Sequence, residues 1–138
     1  MSSTADTAAV LFANDSFYVA FQMADGDAMD RVWARRDTVS CLHPGWPPLL
    51  GRAVVMDSWR GILANASQPI VTPHGAHVEL HGESSIVVCY ETVAGHTMVA
   101  TNVFVREDGE WRLVHHQSGE TQPPQGGLPK EPERGRLQ

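Results

Sequence analysis

Apolar and polar positions along the chain switch period once, near residue 70. Before it the spacing is helical apart from one short strand. Val10, Phe17, Phe21 and Ala24 make one stripe, with Leu11, Tyr18 and Gln22 on a neighbouring one. This predicts a helix from Asp6 or Thr7 to about Met23, either residue serving as cap. Asp25-Gly26-Asp27 breaks it, with Gly26 suited to the left-handed position and Asp27 capping a short helix from Ala28 to about Arg35. Met29, Val32 and Trp33 of that helix point inward. Val39, Cys41 and His43 then alternate with Ser40 and Leu42, as in a short strand that Pro44 ends for want of an N–H. Gly51 lets the chain turn, and Val55, Trp59, Ile62 and Leu63 give a third helix over Arg52 to Leu63.

From Ile70 the period becomes that of strands. Thr72–His81, Ser84–Val93, His96–Arg106 and Glu110–Ser118 read as four, with Ala94-Gly95 and Asp108-Gly109 as hairpin turns. Helices first and an antiparallel meander after them imply an α+β domain, with the helices on one sheet face. The domain covers residues 6–118. Residues 119–138, rich in proline and glycine, read as a disordered or loosely draped tail.

Composition changes this picture little. The chain has 138 residues, enough for one domain with a core. A formal charge of −6 argues against nucleic acid, which favours a basic face. No run approaches membrane-spanning length. Cys41 and Cys89 lie in apolar strands, so buried free thiols and a cytoplasmic setting are expected.

Candidate chemistry centres on His43, an imidazole at a strand end with Trp46 and Trp59 near it in sequence. It is either the rim of an apolar pocket or a surface histidine in a proline loop. His115 and His116 are adjacent on one strand and point to opposite faces. By alternation Arg112, Val114, His116 and Ser118 share one face, and Trp111, Leu113, His115 and Gln117 the other. His77 and His81 share a strand face but stand about 13 Å apart, too far to chelate one ion directly. No metal or cofactor is expected.

The order of Phe17-Tyr18-Val19-Ala20, Gly26-Asp27, Asp37-Thr38-Val39 to His43-Pro44, Gly51-Arg52 with Trp59, and Trp111-Arg112-Leu113-Val114-His115-His116 resembles the nuclear-transport-factor-2-like superfamily. Within it the pattern is similar to the SnoaL-like and ketosteroid-isomerase-like branch. The resemblance spans about residues 8–118. It implies a cone-shaped fold, a curved antiparallel sheet packed against the N-terminal helices around a central pocket. It also implies a homodimer through the outer sheet face, with His116 inward and His115 toward the partner.

In ketosteroid isomerases a helix tyrosine and a protonated aspartic acid hold an enolate oxygen while a second aspartate moves the proton. The resemblance carries these positions onto Tyr18, Asn102 and His43, so only the tyrosine is kept and ketosteroid isomerase activity itself is not implied. A base and two donors remain, suited to proton abstraction beside a carbonyl, elimination or cyclisation. Trp33, Trp46, Arg52, Trp59 and His116 are the expected ligand contacts, for a small apolar or aromatic molecule. A small-molecule-binding SnoaL-like pocket protein is the leading reading; whether it is also an enzyme stays open, and if it is one, it is of isomerase or lyase type. A non-catalytic ligand-binding, dimerisation or protein-interaction module is the alternative, since fold alone does not fix function.

Overall fold

The computed structural model describes residues 3–129. The helices are α1 (Ser3–Gln22), α2 (Gly26–Val32) and α3 (Arg52–Ala64). Two short strands, β1 (Ser40–Leu42) and β2 (Leu49–Leu50), precede α3. Four long ones follow it: β3 (Val71–His81), β4 (Ser84–Val93), β5 (His96–Glu107) and β6 (Glu110–Glu120). All six strands form one sheet in the order β2-β1-β6-β5-β4-β3. The long strands pair antiparallel, and β1 joins the edge of β6 in parallel, Cys41 opposite His116. The α+β architecture, with N-terminal helices over a curved, unclosed sheet, agrees with the sequence.

Local differences have physical reasons. Helix α1 begins nearly a turn early, at Ser3. Ala24, not Gly26, takes the left-handed position after α1, with φ 52°. Asp25, not Asp27, caps α2, its carboxylate accepting the Ala28 N–H at 3.0 Å, so α2 starts and ends earlier than expected. The hairpin turns stand as read: Ala94, Gly95, Asp108 and Gly109 all have positive φ, which the right-handed strand twist favours in two-residue turns.

The larger correction lies in β6. Strict alternation put Trp111 and Leu113 on the face opposite His116 and Ser118, yet all four are buried. Val103 pairs with His115 and the next residue, Phe104, with Leu113, so Val114 is an extra residue in β6. Such a bulge shifts the phase by one. It turns Trp111 and Leu113 inward at one end of the strand and His116 and Ser118 inward at the other. A second irregularity lies between His74 and His77 in β3.

The core lies between α1, α3 and the concave sheet face. Phe17, Trp33, Trp59, Met29, Phe104 and Leu113 are its largest buried apolar side chains. Arg106 ties the start of α1 to the sheet, bonding Asp6 at 2.6 Å and Glu83 at 3.2 Å with its guanidinium over the Trp111 ring. Of the tail, residues 121–129 lack helix and strand, and Pro129 lies against Gly75 of β3, so a side chain at Gly75 would collide with it. Residues 130–138 lie outside the described residues.

Candidate functional site

The inward face of β5 carries Met98, Ala100, Asn102 and Phe104 in alternation, all buried. A primary amide in that apolar row needs partners. Asn102 finds them on two elements, α1 and β6. Its Nδ2 donates to Asn14 Oδ1 at 2.9 Å and to the Tyr18 hydroxyl at 3.2 Å, both on α1. Its Oδ1 meets His116 Nδ1 of β6 at 2.6 Å. With the amide in that orientation, His116 Nδ1 is the donor and Nε2 carries the lone pair. His116 is a neutral imidazole, its pKa brought to about 3, first by burial and then by His43 and His115 nearby.

Tyr18 leads the chain of polar groups further in. Its hydroxyl donates to Glu91 Oε2 at 2.5 Å and lies 3.3 Å from Cys89 Sγ. Glu91 Oε1 accepts the Ser118 hydroxyl at 2.5 Å. Burial raises the Glu91 pKa against the lowering effect of those two hydrogen bonds. Burial, with the Glu91 charge beside it, raises Tyr18 well above the ordinary phenol value. Ser118, Glu91, Tyr18, Asn102 and His116 thus form one connected polar line through an apolar core.

Glu91 is the residue that sequence reasoning missed. Two carboxylates of the ketosteroid isomerase pattern are absent at His43 and Asn102, but a third position supplies one. The signal was present: Val87, Cys89 and Glu91 fall on one face of β4, so a carboxylate shares the phase of core residues. Asn14, on the inward face of α1, was missed as well.

His43 lies at the end of β1, with Trp59 between it and His116. Val39, Cys41 and His43 share the buried face, as the alternation requires. His43 is 6% exposed, and its Nε2 lies 3.1 Å from Ser58 Oγ of α3 and 3.7 Å from Cys41 Sγ. The Trp46 and Trp59 rings both meet it edge-on, centroids 4.8 and 4.9 Å away. Burial lowers the His43 pKa to about 4, below the ordinary value expected from sequence, so the ring is neutral at pH 7 and a weaker base. Burial also raises the Cys41 thiol to about 12, which keeps it protonated.

The ligand contacts expected from sequence divide. Trp59 lies in the core beside both His43 and His116. Trp46 is 47% exposed and flanks His43 from the loop before β2. Trp33 is buried and makes a bridge to Leu113, on the α2 side of the core. Arg52 is committed elsewhere. Its guanidinium donates to the Trp33, Ala34 and Asp30 carbonyls and pairs with the Asp30 carboxylate at 2.7 Å. It secures the α2–β1 connection. His115 faces away from the core, bonded to Ser40 Oγ through Nδ1 at 2.7 Å.

Among the described residues, none of Tyr18, His43, Glu91 or Asn102 lines the groove of about 1000 Å³ beside α1 or the cavity of about 190 Å³ between α2 and α3. Among the described residues no group of His, Cys, Asp and Glu is placed to hold a metal ion. No helix among them is long and apolar enough to cross a membrane.

A six-stranded curved sheet wrapped on three helices, with a tyrosine of α1 facing the concave side, defines the nuclear-transport-factor-2-like class. The SnoaL-like domain model matches residues 10–119, and the chain belongs to that family. It is similar in structure to a candidate dehydratase of the nuclear-transport-factor-2-like family from Streptomyces avermitilis, with TM-score 0.80 and 29% identity over 87% of this chain and 99% of that one. It is also similar to a candidate calcium/calmodulin-dependent protein kinase type II association domain from Thiobacillus denitrificans, with TM-score 0.72 and 36% identity over 80% of this chain and 93% of that one. In sequence it is 29% identical to the F-box protein SKIP8 of Arabidopsis thaliana over 83% of this chain. The chain spans about half the length of that relative.

Proposed function

We propose that this SnoaL-like domain binds a small, flat, largely apolar molecule beside His43 and moves a proton on it, as an isomerase or lyase does. The observation that carries the reading is the buried, neutral imidazole of His43 between two tryptophan rings, one of them the half-exposed Trp46 in a proline loop. Displacing Trp46 would open a slot walled by Trp59, a suitable surface for an aromatic ligand. His43 would accept a proton from carbon beside a carbonyl, and the bond's electron pair would pass to the carbonyl oxygen. The Tyr18 proton is directed at Glu91, so Tyr18 can serve a ligand oxygen only when Glu91 carries a proton of its own. The raised pKa of Glu91 favours that state.

The test is deuterium exchange at the α-carbon of 2-tetralone, followed by proton NMR in heavy water. Exchange above the buffer rate is expected, with a loss of about a hundredfold or more in His43→Ala. Equal exchange with both proteins, the variant being folded, would overturn the role of His43.

A second reading, a dimerising or protein-interaction module, draws on the apolar outer sheet face, where Val88 and Val99 are exposed beside paired Thr101 and Tyr90. The relatives named as an association domain and an F-box protein favour it too. Light scattering checks it. A homodimer that Val99→Asp splits is expected, and a mass unchanged by that variant would refute a sheet-face dimer.

A further inference from the structure

Helix α1 is apolar on both sides. Val10, Phe17 and Tyr18 enter the core, with Asn14 among them. On the opposite side Ala9, Phe12, Ser16, Val19 and Met23 follow one another at intervals of three and four residues. That is the heptad spacing of a helix seam. Phe12, Val19 and Met23 on it are 73%, 53% and 72% exposed. A helix apolar all round is ordinarily buried all round. This stripe also forms one wall of the 1000 Å³ groove, whose other walls are α2 and the β5–β6 turn at Gly109–Arg112.

We propose that this groove is an interface between two copies of the chain, α1 packed antiparallel on α1 about a two-fold axis passing between Ser16 and Val19. This face lies on the far side of the helix from the sheet, so it is distinct from the outer sheet face. Three features favour a second copy over a foreign partner. The first is shape. An axis at that point sets Phe12 opposite Met23 of the second copy and Ser16 opposite Val19 of the second copy. The short Ser16 side chain at the centre leaves room for Val19 of the second copy, and aromatic and thioether groups meet at the ends. The second is charge. The chain carries −6, yet this groove balances Asp15, Asp25 and Glu110 against Arg31, Arg35 and Arg112. A balanced face can meet itself, whereas a strongly charged partner would call for a biased one. The third is extent. The stripe from Ala9 to Met23 runs about 20 Å along α1.

The test uses two measurements on the full chain. Light scattering across a concentration series should show an association step that Phe12→Asp and Met23→Asp each abolish, halving the mass. Both residues are exposed, so the fold should persist, as circular dichroism would verify. Cross-linking fixes the geometry. Cys41 and Cys89 are buried, so Ser16→Cys and Val19→Cys each introduce the accessible thiol. Mixed under mild oxidation, the two variants should form a disulfide between pools in preference to within either pool. A mass that Phe12→Asp leaves unchanged, or no preference between pools, would overturn the proposal. A wild-type chain that stays monomeric throughout would overturn it as well and leave the groove to a foreign helix.

Discussion

His116 makes the stability of this fold depend on acid. Its ring is buried and neutral, and its pKa falls from 6.5 to about 3 because burial penalises the charged form. The unfolded chain keeps the ordinary value. Between those limits the unfolded state binds the proton and the folded state does not, so stability is full above pH 6.5 and drains away as pH falls. At pH 5 the unfolded histidine is almost wholly protonated and the folded one hardly at all, a penalty of about 2 kcal/mol from His116. His43, lowered to about 4, pulls in the same direction. Glu91 pulls the other way: its folded pKa is raised, so its burial penalty shrinks as pH falls through that pKa. Against a total of about 5–15 kcal/mol the histidines weigh heavily. Urea melts at pH 8, 6.5 and 5 measure the slope. His116→Gln keeps an N–H for Asn102 but cannot titrate, so the fall between pH 8 and 5 should shrink by about 2 kcal/mol. An identical slope in wild type and His116→Gln would refute the assignment.

Three further outcomes follow from the same contacts. Glu91→Leu removes the carboxylate that accepts both the Tyr18 and Ser118 hydroxyls and should cost about 2–5 kcal/mol, whereas Glu91→Gln keeps one acceptor oxygen, removes the charge and lets the other hydroxyl turn to accept from its amide; at pH 8 the second should melt well above the first. Arg52→Met strips the Trp33, Ala34 and Asp30 carbonyls of their donor and should cost about 2–4 kcal/mol in a urea melt, without altering ligand affinity at His43. Trp46→Ala should cost under about 1 kcal/mol because the ring is half exposed, yet speed diethyl pyrocarbonate modification of His43, followed by mass spectrometry of the labelled peptide.

The elements were legible wherever a local pattern decided them. The strand boundaries of β3 to β6 follow from alternation between two-residue turns, and Asn102 inward follows from its three apolar neighbours on β5. Alternation failed where one residue was inserted. Val114 has no composition that marks it as a bulge, and only its pairing with β5 reveals that Trp111 and Leu113 face the same core as His116. The Asp25 cap was obscured because Asp27, two residues on, has the same chemistry. Which of the two carboxylates meets an N–H depends on how α1 ends at Ala24.

The site was legible in membership but not in connection. The resemblance to ketosteroid isomerases grouped Tyr18, Asn102 and His43; in the structure Asn102 bonds Tyr18 and His116, and His43 lies apart from that line. The resemblance also drew attention to the two positions where carboxylates were missing, and so away from β4. Glu91 changes the chemistry of the group it joins. A tyrosine alone on an asparagine would be a free donor facing the concave side. A tyrosine bound to a buried carboxylate has its proton already assigned, and the carboxylate's charge raises the cost of losing it. Donor strength at Tyr18 is therefore set by the protonation of Glu91, and that in turn by what enters the core. A ligand oxygen brought against Tyr18 would favour protonation of Glu91, which frees the Tyr18 hydroxyl for that oxygen. Binding and donor activation would then be one event, with a proton taken up from solvent when the ligand enters. Calorimetric titration of 2-tetralone in buffers of different ionisation enthalpy would count that proton. Uptake that vanishes in Glu91→Gln is the expected result, and uptake that persists there would assign the proton to another group.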